Sequence, residues 1–114
     1  IGCIGTSVPG ASGTAIGTGA ANTAALSAAC GPGGAARVCA DLVLGGFDDW
    51  CLPSRNELQA IFANRTAIGG LPVSAFLSSS EWDSMQTWAV NLIDGSAGLH
   101  SKFLSATYRP IRYF

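Results

Sequence analysis

The spacing of apolar and polar positions changes character three times along this chain. Residues 1–20 are Gly-, Thr- and Ser-rich with isolated apolar points at Ile4, Val8 and Ile16, and read as an arm ahead of a folded region spanning 21–114. Two short helical stretches follow. Asn22 is placed to cap Thr23 to Cys30, and Ala35 to Leu44 is a second Ala-rich stretch closed by Gly45-Gly46. The clearest helix comes next. Ser54 with Glu57 three residues on forms a capping box, and Leu58, Ile61 and Phe62 then fall on one face. Gly69-Gly70 and Pro72 end it. Further on the period drops to two, with Trp88, Val90 and Leu92 on one side of a predicted strand and Asp94-Gly95 as a hairpin turn. Strand character resumes after Gly98 through Lys102-Phe103-Leu104, and again from Thr107 to Phe114. Pro110 cannot donate to a ladder, so the last strand lies at an edge or is broken. Helices followed by antiparallel strands predict an α+β fold.

Composition narrows the setting. The chain has 114 residues, enough for one modest core, with fifteen glycines and five prolines pointing to a loop-rich fold. Charged residues are 11% of the total, about half the usual share. Six Lys or Arg stand against seven Asp or Glu, for a formal net charge of −1. That balance provides no electrostatic footprint for nucleic acid. No apolar run approaches the ~20 residues that cross a bilayer, so membrane insertion is not expected. The abrupt start at Ile1 reads as a mature or excised fragment.

Cys3, Cys30, Cys39 and Cys51 make an even number in a short chain, which favours two disulfides and an oxidising location. Three pairings exist. The turn Gly31-Pro32-Gly33-Gly34 favours Cys30–Cys39, leaving Cys3–Cys51 by elimination, a bridge worth about 4 kcal/mol in chain entropy. The chain should then carry no free thiol. Four free buried thiols are the competing reading. A zinc site is disfavoured because there is no C-x-x-C pair and His100 is the one histidine.

The segment Gly46-Phe47-Asp48-Asp49-Trp50-Cys51-Leu52-Pro53-Ser54-Arg55-Asn56-Glu57-Leu58 resembles the signature of a bacterial domain family. That family is named after the C-terminal domain of the Legionella collagen-like adhesin. Ser78-Ser79-Ser80-Glu81, Trp88, Asn91, Asp94-Gly95 and Lys102 resemble its downstream run, and Arg109 and Arg112 its closing pair. Ala15 to Thr23 is similar to its upstream segment. Leu77, where the family often has Trp, and Cys51, usually Arg or an aromatic, depart from the pattern. The resemblance implies a C-type-lectin-like fold in a bacterial surface or secreted protein. It also implies ligand recognition, of sulfated polysaccharides in the collagen-like adhesin. Lys102, Arg109 and Arg112 are too few cations for such a target here.

Asp49, Trp50, Pro53, Glu57, Trp88, Gly95, Arg109 and Arg112 are expected to be structural. Trp50 and Trp88 would pack in the core, Asp49 would bond loop amides, and Arg109 and Arg112 would pair with Asp94, Asp83 or Glu81. His100 has no nucleophile motif beside it, so no catalytic residue, and no enzyme, is expected. The Asn64-Arg65-Thr66 sequon is read as chance. Recognition is expected at the loops around 82–104. Trp82 sits in a polar stretch without an obvious core partner, beside Asp83, Met85, Gln86, Asn91, His100 and Lys102. A flat apolar ring with hydrogen-bonding neighbours suits a glycan or a protein. No cofactor is expected. Asp48, Asp83 and Asp94 are the available oxygen ligands for calcium, but no dense acidic loop joins them. The partner is therefore a glycan or protein ligand. The alternative is the chain itself, as a subunit of an extracellular fibre or array, motivated by the low charge and by apolar ends at Ile1–Ile4 and Tyr113-Phe114.

Overall fold

Ser54 starts the best-defined helix as its sequence suggests. Its hydroxyl accepts from the Glu57 amide at 3.4 Å while the Glu57 carboxylate accepts from the Ser54 amide at 2.8 Å. The computed structural model describes residues 8–30, 34–69, 74–101 and 107–112. Among the described residues four helices precede the strands: α1 (Gly19–Cys30), α2 (Ala35–Asp41), α3 (Arg55–Ala63) and the single turn α4 (Arg65–Ile68). β1 (Ala75–Glu81), β2 (Gln86–Asn91) and β3 (Ala97–Ser101) form an antiparallel sheet in the order β1-β2-β3. The fold is α+β, as the hydrophobic pattern predicts.

Two apolar clusters hold these elements. Val8, Ala11, Leu26, Ala35, Ala36, Cys39 and Leu52 join residues 8–11 to α1 and α2. Leu58, Phe76, Val90 and Leu92 pack α3 on one face of the sheet. Leu58 and Val90 are fully buried, each worth about 1.5–3 kcal/mol in transfer from water. α1 buries Gly19, Asn22, Thr23 and Leu26, the three-to-four spacing of one helical face.

A buried polar seam ties β1 to the helices and to residues 8–18. Ser78, Ser79 and Ser80 are fully buried, and Glu81 nearly so. The β1–β2 register shifts between Leu77 and Glu81, which takes backbone groups out of the ladder. Hydroxyls and neighbouring segments replace the lost partners. Ser78 donates to the Trp88 carbonyl at 2.7 Å and accepts from the Ser80 amide at 3.1 Å. Ser80 donates to the Gly13 carbonyl at 2.6 Å, and the Ser79 amide reaches the Pro53 carbonyl at 2.8 Å. Glu81 accepts from the Val8 amide at 2.6 Å. A run that reads as polar is therefore a strand buried on both sides, whose hydrogen-bonding groups face other protein groups.

Several boundaries differ from the sequence expectation. Asn22 does not cap α1, which begins at Gly19. Asn22 is inside the helix, where its side-chain amide donates to the Gly13 carbonyl and accepts from the Gly13 amide. α2 stops at Asp41 rather than Leu44. The second hairpin strand runs from Ala97 to Ser101, and Lys102-Phe103-Leu104 lie outside the described residues. Of the final segment, Thr107 bridges Phe76 and Ile111 bridges Cys51, with no longer ladder among the described residues.

Both expected cysteine pairings are overturned. Cys39 and Cys51 are buried thiols outside any disulfide, so neither Cys30–Cys39 nor Cys3–Cys51 is formed. Cys39 belongs to the apolar cluster of α1 and α2. Burial pushes its thiol up to about 12, with the charge of Cys51 adding in the same direction. The nucleophilic thiolate is then scarce at neutral pH. Iodoacetamide at neutral pH should leave Cys39 unlabelled in folded protein and label it once denaturant is added, read by peptide mass. Fast native labelling would contradict this burial.

Candidate functional site

Alternation along β2 divides the expected recognition residues between two sides of the sheet. Gln86, Trp88 and Val90 share one side, and Thr87, Ala89 and Asn91 the other. The register sets Leu99 opposite Trp88 and His100 opposite Thr87. One set of predicted residues therefore becomes two separate places.

The first is aromatic. Trp82 leaves β1 at a tight turn in which the Asp83 carboxylate accepts from the amides of Met85 and Gln86, each at 2.8 Å. This turn holds Trp82 56% exposed, with its ring edge-on to Trp88 at 5.6 Å between centroids and 83° between planes. The Arg55 guanidinium stacks over Trp88 at 4.7 Å. Arg55 opens α3, and its own amide donates to Ser80 at 2.9 Å, so the capped helix and the buried serine strand together position the cation. Trp88 is thus half-buried rather than a core residue, and Leu99 and Met85 are exposed. The result is a braced aromatic edge open to solvent.

The second place is a cleft of about 240 Å³ lined by Asn91, Ser96, His100 and the small residues Ala75, Ala89 and Gly98. His100 Nε2 is buried, with no hydrogen-bond partner among the described residues. Asn91 accepts from the Ile93 amide at 2.9 Å, and Asp94 accepts from the amide and hydroxyl of Ser96. Those Ser96 contacts hold the Asp94 carboxyl below its usual range, the amide being the larger cause. Lys102 lies outside the described residues. Among the described residues no three His, Cys, Asp or Glu side chains gather where a metal could sit, so Asp48, Asp83 and Asp94 are not brought together.

A third arrangement is built from residues expected to be structural. Gly45 and Gly46, with φ of 64° and 81°, close a tight turn in which Leu44 and Phe47 exchange backbone hydrogen bonds. Trp50 Nε1 donates to the Phe47 carbonyl at 3.1 Å, and Cys51 and Ile111 exchange bonds of 2.7 and 2.8 Å. A cleft of about 480 Å³ opens between residues 44–50 and 109–112. Arg112 does not pair with Asp94, Asp83 or Glu81. It grips Asp49 with two bonds of 2.7 and 3.0 Å, while its guanidinium lies 3.6 Å over the Phe47 ring. The hydrogen bond from Arg112 holds the Asp49 carboxyl below its usual range. A lowered carboxyl pKa means the pair is kept at neutral pH and lost only as pH falls through that lowered value. Trp50 is half-buried in the wall of this cleft rather than in the core.

The chain matches no protein-family model, no curated protein and no solved structure. The aromatic edge was foreshadowed by Trp82, but Arg55 was not. Only the helix start at Ser54 pointed to where its side chain would project. The cleft at 44–50 had a local signal too, a Gly-Gly turn between apolar residues, which is a hairpin signature.

Proposed function

We propose that this chain is a non-enzymatic binding module of a bacterial surface or secreted protein, with a C-type-lectin-like fold, that recognises a glycan or protein ligand. The observation that carries the reading is the exposed Trp82 ring, held edge-on against Trp88 with Arg55 stacked behind. An indole over half exposed and fixed by neighbours presents a flat apolar face at little entropic cost. The neighbouring carboxylates serve structure: Asp83 closes the turn and Glu81 accepts from the Val8 amide. The resemblance carried by the 46–58 segment supports the fold and the extracellular setting. No helix among the described residues is long and apolar enough to cross a membrane.

Trp82→Ala is the test. Its unfolding free energy should change by no more than about 1.5 kcal/mol, the scale of one aromatic pair. Ligands selected by the wild type on glycan and protein arrays should bind at least about tenfold more weakly, because exposed aromatic anchors dominate such interfaces. Equal binding by the variant would overturn the assignment of this face.

One observation favours a second reading, a subunit of a self-assembling fibre or array. Val43 and Leu44, 71% and 58% exposed, stand side by side in one loop. Light scattering across a concentration series separates the two. A fixed oligomer that resists dilution supports assembly, and a concentration-independent monomer removes it.

A further inference from the structure

The cleft between residues 44–50 and 109–112 has walls set before any ligand arrives. The Gly45-Gly46 turn, the Trp50 bond to the Phe47 carbonyl and the Cys51–Ile111 pair fix its two sides relative to each other. Preorganisation of this kind lowers the ordering cost of binding. Its volume of about 480 Å³ falls within the range of small-molecule sites. Leu44, Phe47, Trp50, Pro110 and Ile111 make the lining mostly apolar and partly aromatic. Phe47 is 47% exposed and Leu44 58%, and sheltering such side chains from water is favourable.

Charge then narrows the ligand. Arg112 is neutralised by Asp49 and laid on Phe47, so it offers little to an incoming anion. Arg109 differs. It lines the cleft and is exposed, and no hydrogen bond or ion pair engages it among the described residues. The cleft therefore holds one uncompensated guanidinium beside an aromatic wall. A neutral hydrocarbon would leave that cation unmatched, and a multiply charged anion would need more than one. A single carboxylate matches the guanidinium fork with two parallel hydrogen bonds.

We propose that this cleft binds a small arylalkyl carboxylate, its ring against Phe47 and Trp50 and its carboxylate on Arg109. The site is distinct from the aromatic edge of Trp82 and does not depend on the function assigned to that edge.

The test is an NMR titration of the full chain with indole-3-propionate and, separately, with its uncharged amide. The acid should shift amides within 44–50 and 109–112 in a saturable way. It should bind at least about tenfold more tightly than the amide, the scale of a charge-assisted hydrogen bond. Arg109→Gln removes an exposed cation and should keep the native spectrum. It should weaken the acid to the level of the amide while leaving the amide unchanged. Three results would overturn the proposal: no shift up to the solubility limit, equal affinity for acid and amide, or wild-type affinity for the acid in Arg109→Gln.

Discussion

Glu57→Ala should lower the unfolding free energy by about 2–4 kcal/mol, measured by urea denaturation, because one side chain serves two distant segments. Its Oε1 accepts from the Ser54 amide at 2.8 Å and its Oε2 from the Gly17 amide at 2.9 Å. Ser54 is fully buried, so water cannot replace the first acceptor, and an orphaned buried amide costs about 1–3 kcal/mol. The capping box is lost as well, about 1 kcal/mol more. Gly17 is exposed, so its amide turns to solvent at little cost, but the 8–18 segment loses an anchor to α3. Glu57→Gln keeps one acceptor oxygen for Ser54 and should cost clearly less. A loss under about 1 kcal/mol for alanine would mean that the seam is stabilised by its other members alone. The change should reach the aromatic edge too. α3 begins at Arg55, so a frayed first turn should loosen the cation over Trp88 and alter tryptophan fluorescence before global unfolding.

What the chain discloses in advance depends on how far apart the interacting groups lie. The Ser54–Glu57 box, the α3 face at Leu58 and the Asp94-Gly95 turn are interactions within four residues, and each leaves a local pattern. β1 is the opposite case. Ser78, Ser79 and Ser80 look solvated because serine usually is, yet their partners at Gly13, Pro53, Arg55 and Trp88 lie 10 to 67 residues from them in sequence. No periodicity encodes that. Asn22 misleads for a related reason: a residue type that caps helices also bonds a passing backbone when it faces one, here at Gly13. The turn residues after Cys30 pointed to Cys39 as its partner, but Cys39 is buried in the apolar cluster of α1 and α2 as a thiol instead. The candidate sites follow the same rule. Trp82 stood out because it lacked a local apolar pattern. The 44–50 cleft needs residues 109–112 to close it, and only the folded chain brings Asp49 to Arg112.

Gly95→Ala should destabilise by about 2–4 kcal/mol, combining strain at positive φ with overpacking. Gly95 has φ 78°, a region where a side chain adds steric strain of order 1 kcal/mol. A Cβ built there would stand 2.5 and 2.7 Å from Phe62 Cδ2 and Cε2. Phe62 packs against the Leu58–Val90 cluster, so its ring cannot retreat without disturbing α3 against the sheet. The hairpin cannot easily yield either. The Gly95 amide donates to the Asn91 carbonyl at 2.7 Å, and Asp94 is held by Ser96. The two contributions separate in a double-mutant cycle with Phe62→Leu. Removing the ring should relieve the overpacking and leave only the backbone strain, so the two substitutions together should cost clearly less than their sum. Strict additivity would show that the ring was never the obstacle. In that case the turn alone fixes the β2–β3 register, and with it the placing of His100 in its cleft and of Leu99 opposite Trp88.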